Sequence, residues 1–212
     1  VRRQRQMCIR DRMNLAACFI VIIINQGLKK YGGDLAIGAF GIVNRLVFIV
    51  VMIVMGLNQG MQPIAGYNFG AKLYGRVNKV LRLTIIYATA VTTFGFLVGM
   101  LVPDLVVGIF TSDAELTELS VTGLRITVMF FPIIGFQMVT SNFFQSIGMA
   151  GKAIFLSLTR QMLILLPCLL VLPQFFGVAG VWYSMPVSDL LASLIALVML
   201  VCQFRKFRTS PL

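Results

Sequence analysis

Histidine does not occur anywhere in the 212 residues, which removes the commonest general base and the commonest zinc ligand. Carboxylates are scarce, with seven Asp and Glu against eighteen Lys and Arg. Cys8, Cys18, Cys168 and Cys202 lie too far apart for a CxxC pair or a secreted disulfide framework. Three of them fall in apolar stretches and are expected to be small buried hydrophobes. The glycine-rich segments 66–72 and 148–152 lack the full phosphate-loop spacing and the hydroxyl that would hold magnesium, so ATP hydrolysis is not expected. No depth of the chain collects a cluster of Cys, His or paired carboxylates. An enzyme is therefore not expected, nor any cofactor or metal site.

Charge in general is sparse, at 12% of residues, while hydrophobic residues make up 58%. That leaves too little polar material to coat a soluble globule and predicts an integral membrane protein. Six windows reach the roughly twenty apolar residues a helix needs to cross about 30 Å of hydrocarbon. They fall near 13–28, 39–61, 80–103, 119–145, 154–173 and 178–203. The connections after the second and fourth windows and the C-terminal tail carry only cations: Lys72, Arg76, Lys79, Arg82, Lys152, Arg160, Arg205, Lys206 and Arg208. The opposite connections carry Asp34, Asp104, Asp113, Glu115 and Glu118, with Lys29 and Lys30 as the exception. The positive-inside rule then places the first group, with the C-terminus, in the cytoplasm. The net charge of +11 is accounted for by short loops facing lipid head groups, so no nucleic-acid partner is expected.

Residues 1–12 are basic, unlike everything after them, and resemble translated adapter sequence rather than a native arm. Native sequence is expected from about Met13, with residues 13–207 forming one six-helix unit whose first helix is truncated, and 208–212 a cytoplasmic tail. Tyr31-Gly32-Gly33-Asp34, Gly148 to Gly151 and Pro173 to Gly180 read as turns, and the segment 111–115 as a helix cap. Pro132, Pro167 and Pro186 are expected to bend their helices. Gly95 with Gly99, and Gly56 with Gly60, have the spacing that lets helices approach closely.

Polar groups at membrane depth are costly and mark candidate sites. On the second span Asn44, Phe48, Met52, Met55, Gln59 and Gln62 fall within about 80° of arc. Such an amide and thioether stripe suits a cavity that accepts varied lipophilic molecules, since Met repacks around many shapes; ordinary helix packing with paired amides is the alternative. Asp189 is the one carboxylate inside a span, about eleven residues in and hence near the midplane. Trp182, Met185, Pro186 and Ser193 share its face. It either exchanges a proton or attracts a cation, or it forms a structural pair with Arg45 or Arg125.

Four stretches are similar to one known family. The segment from Gly60 to Ala71 (Gly-Met-Gln-Pro-Ile-Ala-Gly-Tyr-Asn-Phe-Gly-Ala) resembles the connection leaving the eighth helix of multidrug and toxic compound extrusion (MATE) transporters. Lys30 to Ile37, Asn142 to Gly148, and Gly180-Val181-Trp182 with Pro186-Val187-Ser188-Asp189 support the likeness, which runs from about Met13 to Phe207 and favours the DinF-like and MepA-like bacterial branch. The resemblance implies an all-α, twelve-helix protein in two lobes related by pseudo-twofold symmetry, of which this chain would be the second lobe. Its partners would be the missing N-terminal six-helix lobe, the bilayer of the bacterial cytoplasmic (inner) membrane, and small lipophilic or cationic compounds exported against H+ or Na+. The family's carboxylates on the first, seventh and tenth helices have no match here, so their roles do not carry over to this chain. A lipid-linked oligosaccharide flippase of the same superfamily, with Arg45 and Arg125 as its cavity cations, and a non-transporting membrane scaffold are the rival expectations.

Overall fold

The computed structural model describes residues 2–209, with side chains from 18 to 203. The adapter-like reading of residues 1–12, Cys8 and the tail from 208 fall outside the residues whose side chains are described. Helices run in the order α1 (Arg2–Gly70), α2 (Tyr74–Leu101), α3 (Pro103–Gly108), α4 (Ala114–Val128), α5 (Phe131–Ser146), α6 (Ala150–Leu158), a π-helical turn (Thr159–Leu165), α7 (Leu166–Phe176) and α8 (Val178–Thr209).

Inside α1 the backbone breaks at Gly33, where φ is 69° and ψ is −163°. A side chain at that dihedral would be strained, so glycine is the residue that permits the turn. The 53 residues from Cys18 to Gly70 would otherwise make one rod of about 80 Å, far longer than the hydrocarbon is thick. Among the described residues four helices are long and apolar enough to cross a bilayer, and the bent pair α4 and α5 adds a fifth. Division of the first at Gly33 makes six. The protein is an all-α, multi-pass membrane protein, and its six-helix bundle matches the expected layout.

Two apolar clusters fill the bundle. Phe40, Val43, Leu124, Val128, Val181 and Trp182 join α1, α4 and α8 towards the Gly33 end. Met61, Leu81, Phe143, Phe144, Ala196 and Leu200 join α1, α2, α5 and α8 towards the other. Turns punctuate the two ends in alternation. At one, Gly32 lies beside the start of α8, where an added Cβ would meet a Val178 methyl at 2.8 Å. Asp113 caps α4 there, its Oδ1 accepting from the Glu115 amide at 3.0 Å. At the other end Lys72 and Gly148 take positive φ of 59° and 78°, and Lys152 donates to Gln203 of α8. The acidic connections thus share one end, together with Lys29 and Lys30, and the turns that carry Lys72 and Lys152 the other.

Three expectations change. The second span does not stop near residue 61. The helix runs through Pro63 to Gly70, with the Asn68 amide bonded to the Ile64 carbonyl at 2.8 Å. The two family-like segments then pack on each other, because Gln62 donates to Asn142 at 3.3 Å and a Cβ on Gly66 would lie 3.0 Å from the Ser146 carbonyl oxygen. The cysteines also differ, since Cys18 and Cys202 are exposed and Cys168 half-buried. A bilayer solvates apolar side chains, so a thiol in a span need not enter the core. Of the two glycine pairs only one brings helices together: Gly95 lies against Val50 and Gly99 against Val128, whereas nothing approaches Gly56 or Gly60 within 4 Å.

The prolines behave unequally. Pro132 is the second residue of α5, directly after a 54° bend from α4, and Pro167 follows the π-helical turn. Pro186 sits inside a continuous α8.

Candidate functional site

Asp189 lies about 16 Å along α8 from Val178, and Arg160 about 15 Å along its span from Ala150, at 1.5 Å per residue. The two helices start from opposite ends of the bundle, so the side chains meet near mid-depth. Nε of Arg160 stands 2.7 Å from Oδ1 of Asp189. At that distance the guanidinium and the carboxylate form a close, charge-assisted contact. Among the described residues it is the only ion pair. The expected partners Arg45 and Arg125 are instead exposed on other faces.

The placement of Arg160 follows from local structure. α6 gives way at Thr159 to seven residues of π-helix, a form that inserts an extra residue per turn and gathers at functional sites. The turn aims the guanidinium at α8 while leaving its side chain 34% exposed, against 6% for Asp189. A charge removed from water is tolerated when its counter-charge is removed with it. On the same turn as Arg160, Thr159 Oγ1 and Gln161 Oε1 are buried without hydrogen-bond partners, as are both polar atoms of Asn58 on α1 and Oε1 of Gln137 on α5.

Seven residues before Asp189, the Trp182 indole packs tilted against Phe40, with centroids 5.8 Å apart, and over Gly123, where a Cβ would meet its ring at 2.6 Å. Met185 is half-buried beside this cluster. Hydroxyls on α8 do not reach out: Ser184, Ser188 and Ser193 each donate to a carbonyl of their own helix at 2.7–2.8 Å.

The stripe on the second span occupies a different environment. Asn44, Met52, Met55 and Gln59 are all exposed, and Phe48 and Met52 are 57% and 56% accessible. Only Gln62, at the end of the stripe, pairs with an amide across the interface. The residues picked from sequence therefore form two groups, a buried one around Asp189, Trp182 and Met185 and an outward face along α1. Arg160 is the site residue that sequence reasoning misses, because it groups with the loop cations. Its position six residues inside the window 154–173 is the signal that marks it as a group within a span.

Residues 13–170 match the family model described as MatE. The chain is 28% identical over 185 residues to "Multidrug export protein MepA" of Staphylococcus aureus, covering 87% of this chain and 40% of that protein. Among solved structures it resembles that of the MATE multidrug transporter DinF-BH with a TM-score of 0.83, 35% identity, and coverage of 96% of this chain and 46% of the other. The outward-facing conformation of a multidrug resistance MATE family transporter of the MOP superfamily shares the fold, at TM-score 0.88 and 17% identity, again over 96% and 46% of the two chains. The chain spans less than half the length of each of these three proteins.

Proposed function

Since this chain belongs to the MatE family, we propose that it forms the second six-helix lobe of a secondary antiporter that expels lipophilic, often cationic compounds by alternating access. The observation that supports this most is the outward face of α1. Phe48, Met52 and Met55 are more than 40% exposed although each is apolar, and Asn44 and Gln59 on the same face are exposed amides at membrane depth. Lipid alone would not favour those amides, and a packed interface within the lobe would bury them. A cavity shared with the first lobe accounts for both, and soft thioether walls accommodate varied substrates.

The coupling cation, H+ or Na+, exchanges with Arg160 at Asp189. While the guanidinium is in place the pair is neutral. Departure of Arg160 through its exposed side leaves a carboxylate that takes up a cation arriving down its gradient, and Trp182 and Phe40 carry that change to α1. Orientation follows the charge asymmetry, with the segment from Lys72 to Arg82 and the C-terminus in the bacterial cytoplasm. The complete transporter, freed of native cysteines, tests the cavity with Met52→Cys and, as a buried control, Val54→Cys. A lipophilic cationic dye slows labelling of position 52 by a water-soluble thiol reagent and leaves position 54 unlabelled. Failure of position 52 to label at all would remove the cavity.

A further inference from the structure

On the side of α1 away from the amide stripe, an apolar groove of about 250 Å³ opens to the outside. Its walls are Ile49 and Ile53 on α1, Phe94 and Val98 on α2, Val106 on α3 and Val128 on α4, and no amide or charged side chain lines it. Gly95 and Gly99 let α2 lie close to Val50 and Val128 along the groove, where an added Cβ would stand 3.0–3.1 Å from a valine methyl. Ile49, Ile53 and Phe94 are each more than half exposed, so the groove is a surface feature at membrane depth.

Both walls carry a cation at the same end. Arg45 lies one turn before Ile49 on α1, and Arg125 one turn before Val128 on α4. Both helices run inward from the Gly33 side, so both arginines stand nearer the membrane surface than the groove they flank. Both are exposed, and among the described residues neither has a carboxylate within ion-pair distance. Asp104, at the start of α3, is the nearest acidic residue in sequence to the groove wall and pairs with neither. From one turn on the Gly33 side of the groove, a long arginine side chain snorkels towards the lipid phosphates, and its planar donor fork suits a phosphate.

We infer that the groove holds one acyl chain of an anionic phospholipid from the leaflet on the Gly33 side, the exoplasmic one in the orientation proposed above, with its phosphate between Arg45 and Arg125. Charge complementarity at the mouth selects a lipid with a net negative head group, and the apolar walls below it admit only hydrocarbon. The chain descends along Ile49 and Ile53 towards the midplane, the direction any acyl chain takes from its phosphate.

The full-length transporter, purified in detergent and titrated with phosphatidylglycerol or phosphatidylcholine under native mass spectrometry, decides the matter. The wild type retains phosphatidylglycerol at least about fivefold more than phosphatidylcholine, and R45Q/R125Q loses that preference. R45K/R125K keeps most of it, and V98W, which fills the groove and leaves both cations, loses the bound lipid. Equal retention of the two lipids by the wild type, or undiminished phosphatidylglycerol retention in both R45Q/R125Q and V98W, overturns the inference. Lipid retention is read without transport, so either result leaves the antiporter reading to its own test.

Discussion

Arg160 and Asp189 enter the bilayer from opposite ends of the bundle and meet at 2.7 Å, the guanidinium partly exposed and the carboxylate almost wholly buried. Removal of one member of a buried pair strands the other, at a cost of about 3–5 kcal/mol, whereas removal of both is often tolerated. Arg160→Leu alone, which strands the buried carboxylate, should therefore lower the melting temperature of the full-length protein sharply, and the double variant Asp189→Leu/Arg160→Leu should recover most of it.

Export separates structure from coupling at the same pair. Asp189→Asn is expected to keep expression and cut coupled drug efflux at least about tenfold, and the thermally recovered double leucine variant should remain inactive. Drug resistance restored by the leucine pair would reduce Asp189 to a staple between α8 and the π-helical turn.

Gly123 and Trp182 are fitted to each other with no room for a Cβ, since the ring would lie 2.6 Å from it. Gly123→Ala should destabilise by about 1–3 kcal/mol through overpacking. Combining it with Trp182→Leu should give back part of that loss, because the opposing ring is gone. A melting curve for the double variant no higher than for Gly123→Ala would contradict the fit.

The two glycine pairs make opposite predictions. Gly99→Leu drives a side chain into Val128 and should cost stability on the order of 1–3 kcal/mol. Gly56→Leu and Gly60→Leu meet nothing within the lobe and should leave its own unfolding within about 0.5 kcal/mol of wild type. Comparison of melting temperatures across the three variants checks this.

Orientation is open to a direct assay. In a cysteine-free background, Asp104→Cys should react with a membrane-impermeant thiol reagent in intact cells, and Lys79→Cys only after permeabilisation. The reverse pattern would invert the topology.

Most of the architecture is legible in the sequence because it is written in coarse physical terms. Runs of apolar residues mark the six spans, and Gly33, Gly148 and Gly177, which read as turns from their neighbours, all take positive φ. The site is less legible, because a sequence shows which residues are polar but not what they face. Asp189 stands out as an isolated carboxylate, yet its partner lies 29 positions earlier, on a π-helical turn that no periodicity announces. The stripe from Asn44 to Gln62 is visible as a pattern, but only packing divides it into an exposed run and one amide, Gln62, bonded inside the lobe. The cysteines depart from expectation because burial rules learned from water do not hold where lipid is the solvent.

The seven residues from Thr159 to Leu165 hold one residue more than α-geometry would need. Relaxing that surplus to a regular helix would advance everything after it by one register, about 100° of rotation and 1.5 Å of travel. Leu166–Phe176 would then present a new set of side chains to its neighbours while α6 stayed still. A rod with such slack in its middle can twist one end without dragging the other, and the slack sits beside the one arginine that α8 holds by charge.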